Sequence, residues 1–302
     1  MLAICHSYYS LQAGVVSPKA WVDAAVERGY TALALADVNG LYGAVAFCQA
    51  ALQGGVKPIV GALLELSSGR YCTVLVKHAD GYRQVCRLLT ARHTWERFTI
   101  AAAAAAGAID GLIFLADRPD VVAELAPWVA ADSLYTLAPA EPVRGTQPSL
   151  WTLQPAGVPC AFVPDAWFLE PGDQESFDCL RGLRRLSGRD RLSAPRYGAG
   201  AVLPSATEWR RRYPDQRGAD RIVEMCTFEF TFGKPLLPRL VLPRNMTASE
   251  HLLVLCRNGV EQRYPSGHPL RQEAEKRLRR ELDVISANGF ADYFLYVNEI
   301  VS

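Results

Sequence analysis

The chain has 302 residues, half of them apolar, with 32 basic and 31 acidic side chains and a formal charge of +1. That length and apolar content support one large core and a second, smaller unit, in a folded and soluble protein. The near-zero charge excludes a basic field over the whole molecule, so contact with nucleic acid needs a local patch or another domain. Eight cysteines are widely spaced, without a C-x-x-C pair, and most lie in apolar runs. That usage points to reduced thiols in a cytoplasmic protein. Neither a basic-then-apolar leader nor an apolar run of spanning length is present, so no membrane is expected among the partners.

Residues 2–14, LAICHSYYSLQAG, place His6 at the end of a short apolar run. Ser17 and Pro18 then form an N-cap and first-turn pair, Trp21, Val22, Ala25 and Val26 follow at helical spacing, and Gly29 closes the helix. Thr31–Asp37 reads as a strand with a carboxylate at its carboxyl end, followed by the loop VNGLYG and a helix from Ala44 to Gln53. Further strands are expected at Pro58–Leu66, Cys72–Val76, Gly111–Ala116, Ser133–Leu137 and Pro159–Val163, with helices at Gly81–Ala91 and Pro119–Ala130. This alternation predicts an α/β fold built on a parallel sheet, open or closed into a barrel. Chemistry in such folds collects at the carboxyl ends of the strands. His6, Asp37 and Asp165 fall there.

After about Leu186 the strand rhythm stops and the sequence becomes arginine-rich and proline-punctuated. Helices are expected at Gly218–Cys226, after Thr247 with Glu250 completing a capping box, and through LRQEAEKRLRRELDVISANGF, which stops at Asn288-Gly289. Leu278, Leu282 and Ile285 line one face of the last of these, opposite Glu and Arg. The final stretch, FADYFLYVNEIVS, is apolar.

Four segments in this order, CHSYYSLQAG, RGYTALALADVNGLYGAVAFCQAALQGGVKPIVGALLEL, HADGYRQVCRLLTARH and NGFADYFLYVNEIVS, resemble the N-terminal half of bacterial DNA polymerase III alpha subunits, the family C polymerases with their error-prone relatives. The resemblance implies a PHP domain, a distorted β/α barrel over residues 1–195, followed by a smaller, mainly α-helical start of the polymerase core over 196–302. It also implies where metals would sit in members with an intact site: on H-x-H-x-H-S in the opening strand and on T-D-H, G-x-E and N-D-x-H after later strands. Matched residue by residue, this chain has Leu2, Ile4 and His6 for the histidines and Ala36-Asp37-Val38 for T-D-H. Leu63 stands for the glutamate, and Pro164-Asp165-Ala166-Trp167 for N-D-x-H. His6, Asp37 and Asp165 therefore remain as vestigial metal-ligand candidates, too few for a multinuclear cluster.

Two expectations follow for these three residues. In the favoured one, Asp37 and Asp165 accept hydrogen bonds from loop amides while His6 satisfies a carbonyl, and no cofactor is held in this segment. In the other, the three residues and water hold a single zinc or manganese. His78 and His93 read as solvated helix-end histidines. Arg210, Arg211, Arg212, Arg277, Arg279 and Arg280 read as helix faces, the latter three beside Glu273, Glu275 and Glu281. Polymerase chemistry needs paired aspartates for two magnesium ions, and the chain shows neither a D-x-D pair nor the accompanying glycine-rich motif. It reads as the front part of a polymerase for replication or lesion bypass, cut or naturally truncated before its palm, with no catalytic residue of its own. Its expected partners are the remainder of the polymerase core, DNA through the parent enzyme, and other replication subunits. A PHP-type metal-dependent phosphoesterase and an independent interaction protein are the rival readings.

Overall fold

A computed structural model of the chain describes residues 1–137, 157–186, 201–233, 240, 242–243 and 246–301. It divides into two compact units, Met1–Phe230 and Thr231–Ser302. The first begins with β1 (Leu2–Cys5), α1 (Pro18–Glu27), β2 (Ala32–Val38), α2 (Ala44–Gly54), β3 (Lys57–Glu65) and β4 (Tyr71–Val76). It continues with α3 (Ala79–Thr94), α4 (Ile100–Ala105), β5 (Leu112–Ala116), α5 (Pro119–Leu125) and β6 (Leu134–Leu137). After these come β7 (Cys160–Ala161), β8 (Asp165–Ala166), α6 (Asp173–Leu186), α7 (Ala206–Arg212) and α8 (Arg217–Met225). Local chemistry sets several boundaries: the Ser17 hydroxyl accepts from the Ala20 amide at 3.1 Å to open α1, and Gly55, at φ 69°, closes α2 in the left-handed region.

The strands form one sheet in the order β7-β6-β5-β4-β3-β2-β1-β8. The all-parallel expectation is corrected at one strand: β4 runs antiparallel to both β3 and β5. Only Leu66–Arg70 joins β3 to β4, with the Leu66 amide bonded to the Arg70 carbonyl at 2.7 Å. A tight turn reverses the chain, whereas a parallel return needs a crossover of a dozen residues or more.

The expected strand at Pro159–Val163 is shortened to Cys160–Ala161, and a further short strand follows it at Asp165–Ala166. The first is β7 on one edge of the sheet, and the second is β8 on the other. Laid flat, seven strand spacings would separate those edges by roughly 34 Å. The chain from Ala161 to Asp165 can span at most about 14 Å. The sheet must therefore curl until its edges face each other, which makes it a distorted barrel whose seam is crossed by Phe162–Pro164.

Alternation along the strands then produces two cores. Ala3, Cys5, Leu33, Leu35, Val60, Leu64, Val74 and Phe114 face the helices. Leu2, Ile4, Ala34, Ile59, Leu75, Ile113, Leu115 and Tyr135 face the barrel interior, where Ala219, Ile222 and Cys226 join them. Helix α8 thus plugs the barrel, and residues 201–230 lie with the first unit, whereas the sequence suggests a helical domain from 196 onward. Their burial follows from an interior that the sheet alone leaves open. The Lys57 ammonium holds the Val223 carbonyl at 2.6 Å, and the Thr227 amide donates to the Lys77 carbonyl at 2.6 Å.

The second unit contains α9 (Ala248–Arg263), α10 (Arg271–Ala287) and α11 (Ala291–Val301). The expected Thr247–Glu250 capping box opens α9. Among its described residues Leu252, Ala291 and Leu295 are the buried apolar ones, with Leu282 and Ile285 packed alongside. Phe290, Tyr293, Phe294 and Ile300 remain exposed.

Ile222 is fully buried. Ile222→Ala should lower stability by about 2–5 kcal/mol by opening a cavity at the plug. Urea unfolding followed by circular dichroism measures this, and a change below about 0.5 kcal/mol would show that α8 is not part of the core.

Candidate functional site

The register of β1 on β2 decides which candidate residues can meet. Ile4 lies opposite Ala34 and Cys5 opposite Leu35, so continuing the pairing sets His6 beside Ala36 and Ser7 beside Asp37. Successive side chains point to opposite faces. His6 therefore follows Leu2 and Ile4 toward the interior, and Asp37 follows Leu35 toward the helices.

Asp37 is buried beneath the loop that follows β1. Its Oδ1 accepts from the Ser7 amide at 2.6 Å and from the Ser10 hydroxyl at 2.8 Å. The Ser7 hydroxyl reaches its Oδ2 at 2.9 Å. Burial pushes this carboxyl up, against the opposing pull of the Ser10 and Ser7 hydroxyls and the Ser7 amide. Close approach is required around it: a Cβ at Gly14 would lie 1.7 Å from the Ser7 carbonyl oxygen, and one at Gly43 would lie 3.0 Å from Asp37 Oδ2.

His6 has no exposed surface. Its Nδ1 donates to the Ala36 carbonyl, and its Nε2 meets Asp165 Oδ1 at 2.6 Å. Asp165 is brought there by β8, which pairs Asp165 with Ile4 on the far side of β1. The Trp167 ring stacks on His6 with centroids 3.9 Å apart and planes 20° from parallel. The Trp21 indole donates to the His6 carbonyl at 2.9 Å.

The structure thus brings His6 and Asp165 together and assigns Asp37 to the opposite face. Positions where the resemblance would place other ligands are apolar and buried: Leu2 and Ile4 belong to the interior core. Leu63 and Trp167 form a cluster at the barrel mouth with Phe168, Phe177 and Ala201, against which Val38 packs. Among the described residues no group of three or more His, Cys, Asp or Glu side chains is arranged to hold a metal ion. A metal on His6 would require a free nitrogen lone pair, and both ring nitrogens already face oxygen acceptors. The residues present do not fit the metal that the resemblance implies.

Asp117 does not stand out in the sequence, although it follows β5 directly and so stands at the same end of the barrel. It keeps an open side to solvent. Although the residue is exposed, desolvation on the packed side of its carboxyl, together with the Asp165 charge, pushes it up to about 6. The signal available was its position one residue past an apolar run. His78 caps α3 by accepting from the Gly81 amide at 3.4 Å. His93 bonds through Nε2 to the Asn39 carbonyl at 2.7 Å, so it joins α3 to the loop after β2 and is not a simple solvated helix end. Nearby, Arg92 pairs with Glu65 at 2.7 Å, and the Asn39 carboxamide oxygen accepts from the Glu65 amide at 2.9 Å.

Against this geometry, residues 4–139 match the PHP domain model and residues 250–302 match the bacterial DNA polymerase III alpha NTPase domain model. The chain is 30% identical to an error-prone DNA polymerase of Corynebacterium efficiens over 98% of its own length and 29% of that protein. It is 26% identical to a DNA polymerase III subunit alpha of Halalkalibacterium halodurans over 97% of its length and 28% of that protein. A solved structure described as a putative metal-dependent phosphoesterase of Bifidobacterium adolescentis is similar at 13% identity and a TM-score of 0.32, covering 72% of this chain and 98% of that one. Within the first unit, residues 4–139 are similar to the PHP domain. Over nearly its whole length the chain resembles the PHP domain and the start of the polymerase region of bacterial DNA polymerase III alpha subunits, error-prone relatives included. It spans under a third of the length of those relatives.

Replacing Asp37 by alanine strands one amide and two hydroxyls, and stability should fall by about 1–3 kcal/mol in urea unfolding. Asp117 supplies a pH test. Its folded value near 6 lies above the unfolded value of about 3.9, so the native state binds the proton more tightly. Because the residue is exposed, water screens the effect, and its ionisation should remove only a small amount of stability as pH rises from about 4 to about 6. The urea midpoint of Asp117→Asn relative to the parent should accordingly increase across that window and level off above it.

Proposed function

We propose that this chain is the non-catalytic front module of a bacterial DNA polymerase III alpha-type polymerase, working in DNA replication or lesion bypass in the cytoplasm, and that its PHP domain serves the parent enzyme as a structural element. The observation that carries this reading is the presence, in one chain and in this order, of a PHP region at 4–139 and a polymerase III alpha region at 250–302. The barrel mouth supports it. Phosphoester hydrolysis in such a site would need several nitrogen and oxygen ligands on one face, where this chain has Leu2, Ile4, Val38, Leu63 and Trp167.

Magnesium is assigned to the polymerase site of the parent enzyme, and no residue of this chain is given a part in holding it. Partners are the rest of the polymerase core and, through it, DNA and other replication subunits. The exposed Phe290, Phe294, Tyr293 and Ile300 of the second unit support a contact with that core, since each large apolar side chain left in water forfeits about 1.5–3 kcal/mol of burial.

The purified chain should not extend a primed template in magnesium or manganese, as measured by gel-resolved primer extension. Template-dependent incorporation that survives controls for contaminating polymerase would overturn the proposal. In amide exchange, residues 291–301 of the isolated chain should exchange far faster than β1, β2 and β3, because small local cores open at low free-energy cost. Protection of α11 equal to that of the central strands would count against a missing partner.

A further inference from the structure

We infer that His6, Asp165 and Trp167 form a metal-independent lock, which ties edge strand β8 to β1 and β2 and closes the barrel mouth where the PHP resemblance would place metal ions. The inference deepens the structural-module reading and rests on it, since it assigns the surviving polar residues a task other than catalysis.

Strand β8 needs such a tie. It comprises two residues and pairs only with β1 among the described strands, and a strand of that length carries little stability of its own. The Ile4 amide donates to the Pro164 carbonyl at 2.8 Å. The Trp167 and Phe168 amides both turn to the Ala201 carbonyl, at 2.7 and 3.1 Å. The His6 ring adds a link across three strands, since it rises from the end of β1, holds the Ala36 carbonyl of β2 on one side and reaches Asp165 of β8 on the other.

Hydrogen positions follow from the partners. A carbonyl oxygen only accepts, so Nδ1 carries a hydrogen. Nε2 faces a carboxylate oxygen at 2.6 Å, so a hydrogen lies between them, whether it resides on the ring or on Asp165. A cation at Nε2 would have to displace that hydrogen and turn Asp165 away. Trp167, almost fully buried, covers the face of the ring, and Phe177 meets Trp167 edge-on at 5.6 Å. The space beside the ring is therefore filled by packed side chains. A charge-assisted bond at a packed, partly buried position of this kind can act as the cross-link that a metal ion supplies elsewhere.

The test uses the 302-residue chain after chelator treatment and dialysis. Thermal unfolding is followed while zinc chloride or manganese chloride is titrated, and no saturable rise in melting temperature is expected. A saturable rise with either ion, abolished in Asp165→Asn, would overturn the lock by showing a working metal site. Asp165 is partly exposed, with 19% of its side chain accessible, so Asp165→Asn should still fold. In that variant the amides of Trp167 and Phe168 should exchange about tenfold faster or more while those of β3 and β4 stay unchanged. Unchanged exchange at Trp167 and Phe168 would equally overturn the lock. Failure here leaves the primer-extension result untouched, and incorporation there would leave these stability measurements untouched, so the two readings fail separately.

Discussion

The short link between the last two strands of the barrel constrains everything near the mouth. Phe162, Val163 and Pro164 alone separate β7 from β8, and those strands are opposite edges of an eight-stranded sheet. Four residue steps cannot cross the width of a flat sheet. The sheet has to curl, and curling brings Asp165, remote in sequence, against the end of β1. It also creates an interior that β-strand side chains alone do not fill, into which α8 inserts Ile222 and Ala219.

Within that frame, strand alternation sorts the polar residues. His6 and Asp37 sit at the ends of neighbouring strands, yet one follows the interior parity and the other the helix-facing parity. Asp37 is consumed in organising the Ser7–Ser10 turn, and His6 is consumed by Ala36 and Asp165. A sheet face can present ligands to one ion only from positions of one parity, and on the interior parity this chain carries aliphatic and aromatic groups. Those groups contribute burial in place of coordination. The mouth has thereby become an extension of the core, with His6 and Asp165 as its polar remainder.

Among its described residues, the second unit buries few apolar side chains and leaves aromatic ones in water, the kind of surface that marks an interaction site.

Much of the architecture was legible in the sequence because its signals are local. The Ser17–Pro18 start of α1, the Thr247–Glu250 capping box and the apolar strand runs each depend on residues a few positions apart, and all but the run at Pro159–Val163 appear where expected. So does the order of segments that carries the family resemblance. Residues 66–70 are short enough to announce the reversal at β4, but the surrounding βα rhythm masks that signal. The remaining features were decided by tertiary structure. The placing of β7 and β8 on opposite sheet edges, the capture of α8 by the barrel and the approach of Asp117 to Asp165 depend on residues dozens of positions apart. The site followed the same rule. Sequence supplied His6, Asp37 and Asp165 as three residues at strand ends, but register, parity and curl paired His6 with Asp165, turned Asp37 to the other face and laid Trp167 over the ring, because sheet order is a long-range property that no local pattern encodes.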